Sequence, residues 1–177
     1  MLKILKPLAV GVFVISGVLA IRQCLDTTDL SIIKSPDQTC QIKVTNGWAR
    51  DPSLSNEASI KVTNASDQMH VIVISHKKAD LVGPLTLDMF TEASRNLKML
   101  RLSSPVASPP IKVRINGKQG QQYLLKGDEG LTNVAYLITN LETVSHFHEI
   151  IAWTPSSLLG SNQALLQEVT ETFRATN

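Results

Sequence analysis

His146 and His148 stand two residues apart in the segment "VSHFHEIIAWTPSSL", Val144 to Leu158. On a β-strand that spacing turns both imidazoles to one face, as a chelating pair requires. They are the chain's candidate metal ligands. Glu149 is next in sequence but points to the opposite face of the strand. His70 and His76 share a face with each other on another strand. No cysteine-rich or His-x-x-x-His spacing extends either pair toward the four ligands of a zinc site. Strand-face histidines near a sheet end, structural or turned to water, are the plainer reading.

Other chemistries are less well represented. Ser156 and Ser157 with His148 make a nucleophile and a base on paper, but nothing in the sequence brings a carboxylate to orient them. There is no Gly-x-Ser-x-Gly elbow, no Walker-type phosphate loop and no dinucleotide fingerprint. "GKQG", Gly117 to Gly120, has the form of a nucleic-acid-binding GxxG loop, yet it follows an alternating strand and Asn116, so a hairpin turn explains it better. No cofactor is expected, and the domain reads as non-enzymatic. Trp48 and Trp153 each end a strand. Each is a candidate partner anchor, set against rim packing of a core. "SHKK", Ser75 to Lys78, is a small basic spot.

The chain has 177 residues, 43% hydrophobic and 18% charged, enough for one domain with a proper core. Its formal charge of +2 comes from Lys3 and Lys6; without them 15 basic side chains face 15 acidic ones. A neutral domain has no electrostatic case for binding nucleic acid. "MLKILK" followed by the uncharged apolar run Leu8 to Ile21 reads as an export signal, either cleaved after Ala20 or retained as an anchor. Residues 1–21 are therefore a signal peptide or membrane anchor, and 22–38 a polar, turn-rich linker. The domain, 39–177, is expected in the periplasm or at the outer face of the cytoplasmic membrane. Cys24 lacks the small residues that precede a lipidation site. Cys24 and Cys40 form a disulfide in an oxidising envelope or stay as two free thiols.

The elements that must position these residues follow from period. "CQIKVTNGW" and "ASIKVTN" alternate as half-solvated strands; "MHVIVIS" is a strand apolar on both faces. After Gly83-Pro84 the period changes. Leu87, Phe90, Ala93, Leu97 and Leu100 predict one helical face, with Thr86 as its cap. "SSPVASPP" stops that helix. "IKVRI", "QQYLLK", "LTNVAYLIT" and "SHFHEIIAWT" add four strands, the last two apolar on both faces. "QALLQEVTETF" closes the chain as a helix, with Leu165, Val169 and Phe173 in line and Ser161 or Asn162 capping. Short connections make the sheet mostly antiparallel. Strands apolar on both faces need two covering layers. The expected fold is α+β: an α/β/α sandwich around a mostly antiparallel sheet of about seven strands, with one inserted helix and one C-terminal helix.

Over roughly residues 40 to 175 this arrangement resembles the PsbP and Mog-like superfamily, in particular its DcrB-like bacterial branch. The resemblance rests on "NGW" ending the first strand, the hairpin before "LTLDMF", "VRINGKQG" after a proline-rich break, and a long strand ending in "WT" before a helix ending in "TF". It implies a binding or accessory protein acting through protein–protein contacts, with no chemistry of its own. The export segment fits the envelope members and argues against the cytosolic effector chaperones of the same superfamily. Metal binding by His146 and His148 is the alternative that the residues themselves offer.

Overall fold

The computed structural model of the chain describes residues 29–176. The apolar segment 1–21, the first part of the polar stretch after it, and Cys24 lie outside them.

Two antiparallel sheets make up the domain. The main sheet runs β3 (Ala49–Arg50), β4 (Ile60–Asn64), β5 (Met69–Lys77), β10 (His146–Pro155), β9 (Thr132–Glu142), β8 (Lys118–Glu129) and β6 (Ser103–Ala107). The strand β7 (Ile111–Ile115) also pairs with β8. β6 and β7 share the outer edge of β8 end to end: Ala107 is opposite Leu125, and Ile111 opposite Gln122. β8, β9 and β10 are the longest strands, and they sit where two-sided apolar strands should, in the middle of the sheet. The β7–β8 turn has positive φ at both Asn116 (46°) and Gly117 (81°). This is the geometry that Asn-Gly is suited to in a two-residue hairpin. "GKQG" is thus a hairpin turn and the start of β8. At the third residue of β8, Gly120, an added Cβ would collide with the Leu141 side chain and the Asn140 carbonyl of β9.

The second sheet is small: β1 (Ser31–Lys34), β2 (Cys40–Val44) and β11 (Arg174–Ala175), with β2 in the middle. β1 lies inside the stretch 22–38 that composition reads as a tether. Its four residues carry too short a pattern to stand out, and its partner β2 defines it. "CQIKVTNGW" splits differently from expectation as well. Its first five residues join the small sheet, and the chain turns at Gly47 (φ 94°) before entering the main one. "SSPVASPP" ends the preceding helix and then forms β6. Prolines are tolerated there because β6 is an edge strand with an irregular register between Ser103 and Val106.

Two helices complete the fold, α1 (Leu87–Met99) and α2 (Leu159–Glu171). Thr86 caps α1, its hydroxyl accepting from the Met89 amide at 3.2 Å. α1 covers one face of the main sheet over β8, β9 and β6. The small sheet and α2 cover the other, closing a core that includes Ile42, Val62, Val73, Ile150, Leu166 and Phe173. The α+β sandwich expected from the strand pattern is therefore present, with one covering layer built from helix and sheet together. Each helix buries part of the stripe that periodicity predicts, Leu87 and Phe90 on α1 and Val169 with Phe173 at the end of the chain, and departs from it elsewhere. α1 turns Leu87, Phe90 and Thr91 inward, while Ala93, Leu97 and Leu100 face out. α2 begins at Leu159 and buries Leu166 in place of Leu165. Asn162 is no cap; it is buried and donates to the Asp67 carbonyl (2.7 Å) and Thr154 Oγ1 (2.9 Å).

Candidate binding groove

β10 sorts its side chains by parity. Ile150 and Ala152 enter the core under α2 and the small sheet, and His146 and His148 share their face. Phe147, Ile151 and Trp153 join the clusters on the α1 side, and Glu149 faces α1 with them.

The two histidines are both buried, His148 to 1% exposure. Their rings stack with centroids 5.6 Å apart, and His148 also tilts against Phe173 at 5.1 Å. The Nδ1 of each already has a partner: Ser145 Oγ for His146 (2.8 Å) and Ser75 Oγ for His148 (2.9 Å). Ser75 Oγ is in turn 3.9 Å from the Sγ of Cys40, which is buried and has no disulfide partner among the described residues. Burial, reinforced by His146, pushes the His148 pKa down to about 4, so its ring is neutral at neutral pH. Among the described residues no group of three or more His, Cys, Asp or Glu is placed to share an ion. The pair alone would leave tetrahedral zinc two ligands short. His70 and His76, the other pair, have separate surroundings: His70 stacks on Trp153 and His76 lies edge-on to Phe90.

On the α1 side, Glu149 is 5% exposed and is held by the helix above it. It accepts from Ser94 Oγ and pairs with Lys98 Nζ at 3.3 Å. Ser94 Oγ lies 3.3 Å from the Tyr123 hydroxyl, whose pKa burial raises. Asn140, opposite Glu149 on β9, donates to Thr91 Oγ1. The sheet beneath the middle of α1 is thus polar, which explains why the helix turns Thr91, Ser94 and Lys98 to it beyond the apolar Leu87 and Phe90. Ser156 and Ser157 are remote from all this. They follow the far end of β10, about 26 Å from His148 at strand rise, so the structure does not bring that nucleophile and base together.

The groove lies where α1 stops. A helix about 10 Å across covers about two strands, and α1 sits over β8 and β9. Beyond its end the same face carries a hollow. Ile72 and Ile74 of β5, Ile151 and Trp153 of β10, Tyr136 of β9 and Leu125 of β8 floor a hollow of about 330 Å³. Lys98 and Arg101 of the α1 end stand on one side, and Leu54, Ser55 and Glu57 of the loop before β4 on the other. A second hollow of about 570 Å³ shares Trp153 and Glu129 with the first and continues past His70 to Asp51 and Pro155. Trp153, half-buried, stands between the two. Its ring stacks on His70 at 4.9 Å (interplanar 22°) and lies 6.1 Å from Tyr136. His70 Nδ1 is 2.9 Å from Thr63 Oγ1, and Tyr136 donates to Glu129 Oε2 at 2.6 Å. Burial lowers the His70 pKa, opposed by Asp51. The anchor is therefore oriented on both sides by residues that are themselves held. The arrangement suits apolar contact with charge at its margins.

Of the two tryptophans singled out by sequence, the structure puts only Trp153 in this groove. Trp48 packs against the core on the opposite face of the sheet. Sequence reasoning missed the rest of the floor. One signal was available: a single helix inserted on one face of a seven-stranded sheet cannot cover it.

No protein-family model and no curated protein sequence matches the chain. Solved structures do. Cyanobacterial PsbP (CyanoP) from Synechocystis sp. PCC 6803 aligns with a TM-score of 0.60 at 11% identity, over 86% of this chain and 95% of that one. LpqN, described as involved in cell envelope biogenesis of Mycobacterium tuberculosis, gives 0.61 at 12% identity, over 84% and 91%. The Ran-binding protein Mog1p of Saccharomyces cerevisiae gives 0.55 at 13% identity, over 85% and 97%. The chain has the PsbP/Mog1-like fold. At these identities the likeness is one of architecture, and function must be read from surfaces.

Proposed function

We propose that the chain is an exported, non-enzymatic binding protein that docks a protein partner in the Trp153 groove, in the periplasm or at the outer face of the cytoplasmic membrane. The groove carries this reading: the half-buried Trp153, with Tyr136, Ile74 and Leu54 beside it in a hollow next to α1, is rimmed by charge, as in the centre of a protein interface. The export half rests on the basic n-region and the apolar run Leu8 to Ile21. Neighbours of the same fold include a Ran-binding protein and a protein of envelope biogenesis, which supports an accessory role. The test is photo-crosslinking in intact cells, with the crosslinker at Leu54 on the groove wall and, as control, at Leu165 on the exposed side of α2. A discrete adduct from Leu54 alone, lost in Trp153→Ala, is expected. Adducts only from Leu165 would refute the docking site. A phosphatase reporter fused after Asn177 tests export separately: it should be active, and a reporter inactive outside the cytosol would remove the envelope assignment.

A further inference from the structure

The main sheet has an open edge at β7. This strand pairs with β8 through five consecutive residues, from Ile111 opposite Gln122 to Ile115 opposite Lys118, with no register shift. Among the described residues no strand pairs with its outer side. A strand edge in that state presents a row of unpaired N–H and C=O groups, a template for a further strand. β6, which shares the same border of β8, is closed to such pairing. It carries Pro105 and an irregular register, and Pro109 and Pro110 follow it.

The two faces of β7 differ in chemistry. Ile111, Val113 and Ile115 turn to the side of the small sheet and α2. Ile115 is buried in that core and Val113 is half-buried, while Ile111, at the start of the strand, is 61% exposed. Lys112 and Arg114 turn to the α1 side, where they stand exposed beside the uncharged Gln121 and Gln119 of β8. Among the described residues neither has an ion pair. The acids that α1 and the neighbouring strands turn to this side are already engaged: Asp88 by Gln121, Glu92 by Arg95 and Asn96, Glu142 by Lys78, Glu149 by Lys98, and Glu129, at the other end of β8, by Tyr136. The edge therefore offers two unpaired positive charges about 7 Å apart on one face and aliphatic side chains on the other. A second copy of β7 does not fit it. Aligned on Val113 in either direction, that copy sets positive charge directly against positive charge, which is destabilising. A strand with acids at those two positions and an apolar residue between them matches both faces.

We infer that the outer edge of β7 docks an extended strand of a partner protein in which acidic residues alternate with apolar ones, the acids facing Lys112 and Arg114 and the apolar residues lying along Ile111 and Val113. The site is separate from the Trp153 groove, none of whose lining residues is on β7. The probes are four fluorescent heptapeptides. One alternates glutamate with valine, and one alternates lysine with valine. The third regroups the first so that its glutamates fill one end, and the fourth is the first with its three central amides N-methylated. Each is titrated against the full chain in nanodiscs of zwitterionic lipid at low ionic strength. The alternating glutamate peptide should bind about tenfold more tightly than the lysine peptide or the regrouped one, and added salt should narrow the gap. The N-methylated peptide, which lacks the backbone donors a new strand needs, should not bind. Lys112→Glu together with Arg114→Glu, two exposed changes, should transfer the preference to the lysine peptide. Amide hydrogen exchange in the saturated complex should slow within Ile111–Ile115 and stay unchanged in β6. A regrouped or N-methylated peptide that binds as tightly as the first, or a preference that the double substitution leaves in place, overturns the inference. So does protection of Ile111–Ile115 that rises with protein concentration in the absence of peptide, which would make the edge an interface between copies of this chain.

Discussion

His148 shows how burial changes what a residue can do. Its pKa is lowered to about 4 against an unfolded value near 6.5. Above pH 6.5 both states are neutral there and its full contribution is present. Below 6.5 the unfolded chain takes the proton first, so stability falls as pH drops toward 4, by on the order of 3 kcal/mol in all. Denaturant midpoints of the parent and His148→Gln at pH 7 and pH 4.5 check this: the parent should lose about 2 kcal/mol more than the variant between the two. Glu149 presents the opposite problem, a charge that stays buried because Lys98 and Ser94 meet it. Lys98→Ala should cost about 2 kcal/mol by leaving that carboxylate without its counter-ion. Adding Glu149→Gln should recover most of the loss in a double-mutant cycle.

Helices and strands differ in how far their own residues foretell their faces. Strand alternation put Ala58, Ile60 and Val62 on one face; Ile60 and Val62 are buried together in the core under α2, while Ala58, just before β4, is buried in the cluster on the α1 side. The parity of β10 likewise separated Ile150 and Ala152 from Ile151 and Trp153 as the structure does. On α1 the same reasoning held for its first turn, where Leu87 and Phe90 are buried, and failed beyond it. Its apolar spacing ran Leu87, Phe90, Ala93, Leu97, but the sheet offers Glu149 and Asn140 beneath its middle, so Ser94, Lys98 and Thr91 turn inward. That preference lives on β9 and β10, far away in sequence, and no window over α1 contains it. The contrast is measurable. Leu97→Ser, on a side chain 61% exposed, should change stability by less than about 0.5 kcal/mol. Leu166→Ala, fully buried under the main sheet, should cost about 2–5 kcal/mol by urea denaturation. β6 was hidden for a related reason: prolines mark a break when read locally, and only the free edge of β8 makes a strand of Ser103–Ala107.

At the scale of the molecule, layers of unequal size create the site. The small sheet and α2 close one face of the main sheet, while α1 alone covers the other, reaching the His76 and Phe147 ends of β5 and β10 and leaving a hollow beside Trp153. Trp153 was legible as an anchor candidate because it ends a strand. Its groove was not, since the floor is assembled from four strands brought together by long-range pairing. Trp48, an equal candidate in sequence, belongs to the closed face. This asymmetry gives a direct measurement, because the chain has two tryptophans and therefore two indole N–H resonances. Titrating the isotopically labelled protein with the partner captured at Leu54 should shift and broaden the Trp153 indole signal while the Trp48 signal stays in place. A Trp153 signal that stays fixed while Trp48 moves would contradict the account.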